Sequence, residues 1–277
     1  MKKTKEEVMK GIEKKLEKGI QEIFASEQMK EYLAFLSNFR QYSFNNTVLI
    51  FSQIPPATLV KGYHEWKKLG RYPKKGSKAI KILAPLITKK KDKETDEEKS
   101  VIYGFRYVNV FDVQQTEGEP LPEPLVKTLE GEKDVTKELY HNLETLNDIP
   151  IYHEDTKPAN GYYHIIDKYI ALDHDLSPNQ EVKTLVHEYA HHLLHGQGAT
   201  FEQEEHRIKE AQAEAVAYVV LHHYGIDTGE YSFGYIASWS KDPDIIKQIG
   251  TDIINTSQTI LNQLEEMKDK RRESVGA

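Results

Sequence analysis

An α+β protein of two domains is what the sequence predicts, on three observations. Charge is split along the chain: residues 1–120 hold 23 Lys+Arg against 16 Asp+Glu, while the remainder holds 14 against 28. The front half is thus +7 and the rear half −14. At the join, residues 115–124 contain three prolines and a glycine, which forbid regular structure. Third, both halves hold helical and strand segments, and the rear half carries His187-Glu188-Tyr189-Ala190-His191, an HExxH pentad. The expected division is residues 1–118, a linker at 119–129, and residues 130–277.

In the basic half, two helices are expected near 5–24 and 26–39, the second with Leu33, Leu36 and Phe39 as an apolar stripe. An apolar run follows Asn46, and then residues 61–78 interleave Lys61, Lys67, Arg71, Lys74, Lys75 and Lys78 with Tyr63, Trp66 and Tyr72. Cations that track phosphates and aromatic faces that stack on bases suit single-stranded nucleic acid. The competing reading is a solvated lysine-rich surface over buried aromatics; Trp66, at helical spacing with Leu69, fits that second reading. Strands are expected at 79–86 and 101–113, joined by a charged, apolar-free loop at 89–99.

In the acidic half, residues 162–172 read as two strands around an Asp167-Lys168 turn. An edge strand there, just before the HExxH helix, could hold extended peptide by backbone pairing. The helix opens at Ser177-Pro178-Asn179-Gln180, a hydroxyl cap, a proline at the first helical position and a capping-box glutamine. Val182, Leu185, Val186, Tyr189, Ala190, Leu193 and Leu194 recur at helical spacing, and Gly196 and Gly198 supply the stop. His187 and His191 lie one turn apart on one face, so both reach a single ion, and Glu188 sits beside it to take a proton from an attacking water.

A third ligand is expected on the next helix. Glu210 follows His191 after eighteen intervening residues, the gluzincin spacing, and Glu214 lies one turn further on the same face. One would bind the metal and the other would orient a ligand histidine; spacing favours Glu210 without separating them. His195 completes an i, i+4, i+8 stripe but lies about 12 Å from His187 along the helix, too far for one ion. It is expected as an imidazolium at the helix C-terminus, with His192 pointing away. Tyr218, His222 and His223 are candidates for stabilising an oxyanion. A helical tail is expected at 242–272.

The chain has no cysteine, which excludes disulfides and thiolate metal sites. Its charged first residues and the lack of an eighteen-residue apolar run predict a cytoplasmic protein with no membrane span. Imidazole and carboxylate donors fit Zn²⁺ or manganese.

These features together resemble the ArdC-type antirestriction proteins of mobile elements. In the front half the resemblance rests on the Asn46 segment, on Tyr63-His64-Glu65-Trp66-Lys67-Lys68-Leu69-Gly70 with Lys75-Gly76-Ser77-Lys78, and on Val110-Phe111-Asp112-Val113-Gln114-Gln115-Thr116. In the rear half it rests on HExxH, on Glu210 with Ala213-Glu214-Ala215-Val216-Ala217-Tyr218, and on residues 232–239. The charged stretch 89–99 departs from the family pattern. The resemblance implies a single-stranded-DNA-binding domain followed by a zincin-like metallopeptidase domain, distantly similar to the ImmA/IrrE peptidases. The implied DNA-binding set is Asn46, Lys61, Tyr63, Trp66, Lys67, Arg71, Lys74, Lys75 and Lys78; the implied metal site is His187, His191 and Glu210 or Glu214 around Zn²⁺, with Glu188 catalytic. Partners would be single-stranded DNA and an unidentified protein substrate. Two other readings stay open: a DNA-coating antirestriction protein with little peptidase activity, and an ImmA-type peptidase that cleaves a repressor.

Overall fold

A computed structural model describes residues 5–24, 28–91, 98–121, 132–146, 148–196, 203–226 and 243–275. The architecture is α+β, and the chain divides into two compact units. Residues 1–22 and 41–123 make the first; residues 23–40 and 124–277 make the second. The division between the units falls after residue 123, inside the expected linker at 119–129. Residues 23–40, expected with the basic half, instead belong to the second unit, because the apolar stripe of their helix packs there. The proline-rich join beyond residue 121, the carboxyl end of the expected linker, falls outside the described residues, as does the motif at 232–239.

The first unit contains helix α1 (Lys5–Phe24) up to Glu22, helix α3 (Phe44–Gln53), the short helix α4 (Tyr63–Lys68), and strands β1 (Val60–Gly62), β2 (Arg71–Pro73), β3 (Ile80–Lys91), β4 (Glu98–Asp112) and β5 (Thr116–Gly118). One sheet runs β1-β4-β3 and a two-stranded one pairs β2 with β5, all antiparallel. The stretch expected as a loop at 89–99 is partly ladder: Lys89, Lys90 and Lys91 pair with Ser100, Lys99 and Glu98. Strand extension beats charge there because each added pair satisfies backbone groups. Residues 92–97 of that stretch lie outside the described residues.

β3 is the outer strand, and α3 closes its edge with two side-chain amides. Asn46 donates to the Leu83 carbonyl at 3.0 Å and accepts from its N–H at 2.8 Å. Gln53, two helical turns on, exchanges the same pair of bonds with Lys81 at 3.0 Å each. Exposed strand edges invite unwanted pairing, and here two amides stand in for a neighbouring strand.

The second unit holds α2 (Gln28–Leu36), α5 (Glu132–Leu146), β6 (Ile151–Glu154), β7 (Gly161–His164), β8 (Tyr169–Asp173), α6 (Pro178–His195), α7 (Gln203–His223) and α8 (Pro243–Val275). Its sheet runs β6-β8-β7, with β6 parallel and β7 antiparallel to the central β8. The tight turn between β7 and β8 puts Lys168 at φ 52°. The core is the apolar face of α6 (Val182, Leu185, Val186, Ala190), the alanine-valine run of α7 (Ala213, Ala215, Val216, Ala217, Val219, Val220) and the α8 stripe Ile249, Ile253, Ile260 and Leu264, all buried. Short side chains on α7 let α6 and α8 pack closely against it.

β7 lies against α6 because residue 161 is glycine. A Cβ there would stand 2.6 Å from the Ala171 carbonyl oxygen and 2.7 Å from Thr184 Cγ2. The close approach brings an edge strand beside the HExxH helix.

Candidate metal centre and nucleic-acid surface

α6 begins as its sequence requires: Ser177 Oγ accepts from the Gln180 N–H at 3.4 Å and Pro178 takes the first turn. The Gln180 side chain does not return to complete the box; it turns inward to Thr184 Oγ1. One turn of helix then separates His187 from His191, and their Nε2 atoms lie 3.1 Å apart. The Glu210 carboxylate of α7 straddles them: Oε2 is 3.3 Å from His187 Nε2 and Oε1 is 3.3 Å from His191 Nε2.

These three residues form a donor set with every ligand atom within 4.8 Å of the others. Tetrahedral zinc with ligand bonds of about 2.0–2.1 Å has donor–donor edges of about 3.3–3.4 Å, close to the 3.1 Å between the imidazole nitrogens and the 3.3 Å from each of them to one Glu210 oxygen. Glu214 occupies a different place. Its Oε2 meets Nδ1 of His187 at 3.3 Å, and its Oε1 is held by Lys183 at 3.1 Å. It backs the imidazole rather than facing the triangle.

The electrostatics describe a cation-seeking cage. Burial pulls the His187 pKa down, but hydrogen bonds to Glu210 and Glu214 and the charge of Glu188 outweigh it and push it up to about 9. Burial would raise Glu210, but its bonds to His187 and His191 hold it well below the carboxylate range. Glu214 is also lowered, by His187 and Lys183 against its own burial. Glu188 goes the other way. It is buried, and desolvation raises its pKa despite the nearby histidines and a main-chain N–H from Tyr163. A carboxylate poised for protonation beside a donor triangle is the arrangement a general base needs.

The triangle opens on a cleft of about 240 Å³ between β7 and the two helices, lined by Tyr162, Tyr163, Glu188, His191, His195 and Lys209 among others. His192 points away, as expected, bridging the Tyr163 hydroxyl at 3.0 Å and Asp148 at 3.2 Å. His195 differs from expectation: burial, with His191 and Lys209 nearby, pushes its pKa down to about 4, so it is neutral at the helix end. Desolvation outweighs the helix dipole there because the ring faces the cleft instead of bulk water. Tyr218, His222 and His223 do not line the cleft; both histidines engage Ser37.

In the first unit, the expected DNA-binding residues separate into two groups. Trp66 is fully buried, and its indole N–H donates to the Phe111 carbonyl at 2.9 Å. Arg71 spends its guanidinium on Thr116 Oγ1 and the Thr116 and Glu119 carbonyls, clamping β2 to β5. Asn46 is committed to β3. These three hold the fold together, which no local pattern reveals, since their partners lie 37 to 48 residues away. Tyr63 (47% exposed), Lys67, Lys74, Lys75 and Lys78 are on the surface, and Lys61 is half-buried on β1.

Two motifs quoted for the resemblance form one joint. The Asp112 carboxylate accepts from the N–H groups of Thr58, Leu59 and Gln114, and Gln115 accepts from the Asp112 N–H. Gln115 then donates to the Lys78 carbonyl and accepts at its own carbonyl from the Lys74 N–H, pinning the lysine-rich turn at both ends.

Residues 2–111 match the N-terminal domain of anti-restriction factor ArdC, and residues 146–225 match the IrrE N-terminal-like domain. This pair of domain matches fits an ArdC-type protein. The fold is also similar to two crystal structures of the antirestriction protein ArdC from plasmid R388. The metal-free one is 18% identical with a TM-score of 0.52, covering 81% of this chain and 86% of that one. The Mn(II)-bound one is 18% identical with a TM-score of 0.53, covering 81% and 84%. At that identity the likeness is one of fold. A curated relative, the uncharacterized protein pXO2-81 of Bacillus anthracis, is 26% identical across 98% of this chain. This chain spans about half of that relative's length, 55%. No helix among the described residues is long and apolar enough to cross a membrane.

Proposed function

We propose that this ArdC-type chain is a metal-dependent peptidase that acts in antirestriction and is brought to its substrates by single-stranded DNA bound to its first unit. The observation that supports the peptidase half is the buried carboxylate of Glu188 beside the His187–His191–Glu210 triangle, at the mouth of a cleft with an edge strand.

His187, His191 and Glu210 hold the ion, and Glu214, itself fixed by Lys183, orients His187. When bound, Zn²⁺ (Mn²⁺ suits the same donors) supplies a Lewis acid that polarises a peptide carbonyl and makes water a better nucleophile. Glu188 accepts the proton of the attacking water and delivers it to the leaving amine; its raised pKa suits both transfers. The Tyr163 N–H steadies that carboxylate while the neighbouring backbone of β7 is placed to pair with extended substrate.

The DNA half is supported by the charge split and by the exposed Tyr63, Lys67, Lys74, Lys75 and Lys78. Cations of this kind neutralise phosphates and release counterions, so binding should fall steeply with salt.

One experiment addresses each half. Antirestriction activity and turnover of DNA-bound proteins should be lost in Glu188→Gln; full antirestriction by that variant would point instead to DNA coating. A labelled single strand, tested against duplex over a salt series, should bind wild type and bind a Lys74/Lys75/Lys78→Glu variant far more weakly.

A further inference from the structure

The β3–β4 hairpin continues well past the part of the sheet that β1 and α3 cover. Beyond residue 84 it is a bare two-stranded ribbon, and its register sorts its side chains. Because opposed residues of an antiparallel pair share a face, one face presents Lys81/Asn109, Leu83/Tyr107, Pro85/Phe105, Ile87/Ile102 and Lys89/Ser100 in succession. A register shift between Leu86 and Ile87 puts Tyr103 at the irregularity, outside the paired register. Such bulges sharpen the twist and re-aim side chains.

The outer part of the ribbon is apolar and open to water. Ile87 is 57% exposed, Ile102 55%, Tyr103 54% and Phe105 39%. Contiguous exposed apolar clusters mark interaction sites in stable proteins. Their flanks decide the class of ligand. Lys81 stands at the inner end with Lys15, whose ammonium sits 5.7 Å over the Tyr107 ring, and Lys89 stands at the outer end. Among the described side chains of this face the one carboxylate is Glu98, in a solvent-exposed pair with Lys89. Aromatic faces between cations, along eight strand residues or about 27 Å, complement an extended polyanion with flat, stackable groups.

We propose that the distal β3–β4 ribbon is a contact surface for single-stranded DNA, with bases stacked on Phe105 and Tyr103 and phosphates taken by Lys15, Lys81 and Lys89. It rests on the single-strand reading above and places a second contact away from the lysine-rich turn at 74–78.

The test uses the full chain and a fluorescein-labelled oligo(dT), read by anisotropy over a salt series. Stacking is worth about 1–3 kcal/mol per base, so a Tyr103→Ala/Phe105→Ala variant should bind about 30-fold more weakly or worse. Its salt slope should stay that of wild type, because no phosphate contact is lost, whereas Lys74/Lys75/Lys78→Glu should flatten the slope. A Tyr103→Leu/Phe105→Leu variant keeps apolar bulk and guards against a folding defect; it should be weakened to a similar degree. Wild-type affinity in the alanine variant would overturn the ribbon contact alone, as would full recovery in the leucine variant, which would assign the face to apolar packing. Failure of wild type to bind the strand at low salt would overturn this contact together with the single-strand reading.

Discussion

Glu214 meets His187 from behind: its carboxylate lies 3.3 Å from Nδ1, while Glu210 lies 3.3 Å from Nε2 of the same ring. One imidazole thus separates two carboxylates that are a single turn apart on α7, and only one of them faces the donor triangle. The two should behave differently when altered. Glu210→Gln should abolish measurable Zn²⁺ binding, whereas Glu214→Gln should weaken it about 10–100-fold, the usual cost of losing a group that orients a ligand. Isothermal titration of metal into both variants checks this. Equal losses would remove the distinction.

Glu188 donates nothing to the triangle, so Glu188→Gln should bind Zn²⁺ within a few fold of wild type and lose hydrolysis. General acid–base catalysis contributes about 10²–10⁴-fold, and the loss should fall at or above that range. Metal titration beside a peptide-turnover assay separates the two effects. Loss of metal binding in this variant would assign Glu188 to the ligand set.

The metal-free protein should be most stable near pH 6.5. His187 has its pKa raised to about 9, so its contribution is complete below the unfolded value near 6.5 and disappears as pH rises through 9. His195 is depressed to about 4, so its neutral burial stabilises above 6.5 and that contribution disappears as pH falls toward 4. Saturating Zn²⁺ should remove the alkaline decline, because a ligand imidazole must already be deprotonated. Thermal midpoints from pH 4 to 9, with and without metal, test this; an alkaline limb that survives saturation would contradict it.

Asn46→Ala should destabilise the first unit by about 1–3 kcal/mol, since it leaves the Leu83 N–H and carbonyl without their partner. Gln53→Ala, whose bonds to Lys81 are solvent-exposed, should cost less. Neither should change affinity for a single strand once folded protein is measured. Urea unfolding with oligonucleotide titration distinguishes this from a direct DNA role for Asn46.

Trp66→Phe should lower stability and leave strand binding intact, because the ring is enclosed and its N–H is spent on Phe111. A large loss of affinity in a variant that remains folded would restore Trp66 as a stacking platform.

The HExxH helix, with its Ser177 cap and apolar stripe, was legible in the sequence, because caps and faces are set by residues within a turn or two of one another. The β7–β8 turn and the paired histidines were legible for the same reason. Helix α3 and strand β6 were not: α3 is short and nearly all apolar, without periodicity to separate helix from strand, and β6 is four residues long. Glu210 and Glu214 share one helical face, and only the packing of α7 on α6 decides which reaches the triangle. Asn46, Trp66 and Arg71 look like nucleic-acid residues by type and place, yet each is consumed by a backbone group dozens of residues away. His195 looks like a cation at a helix end until burial in the cleft makes it neutral. Sequence by itself determined the chemistry on offer, because that depends on residue type and local spacing. Tertiary structure decided which groups remain available for it, because desolvation and hydrogen-bond satisfaction depend on neighbours the chain meets only when folded.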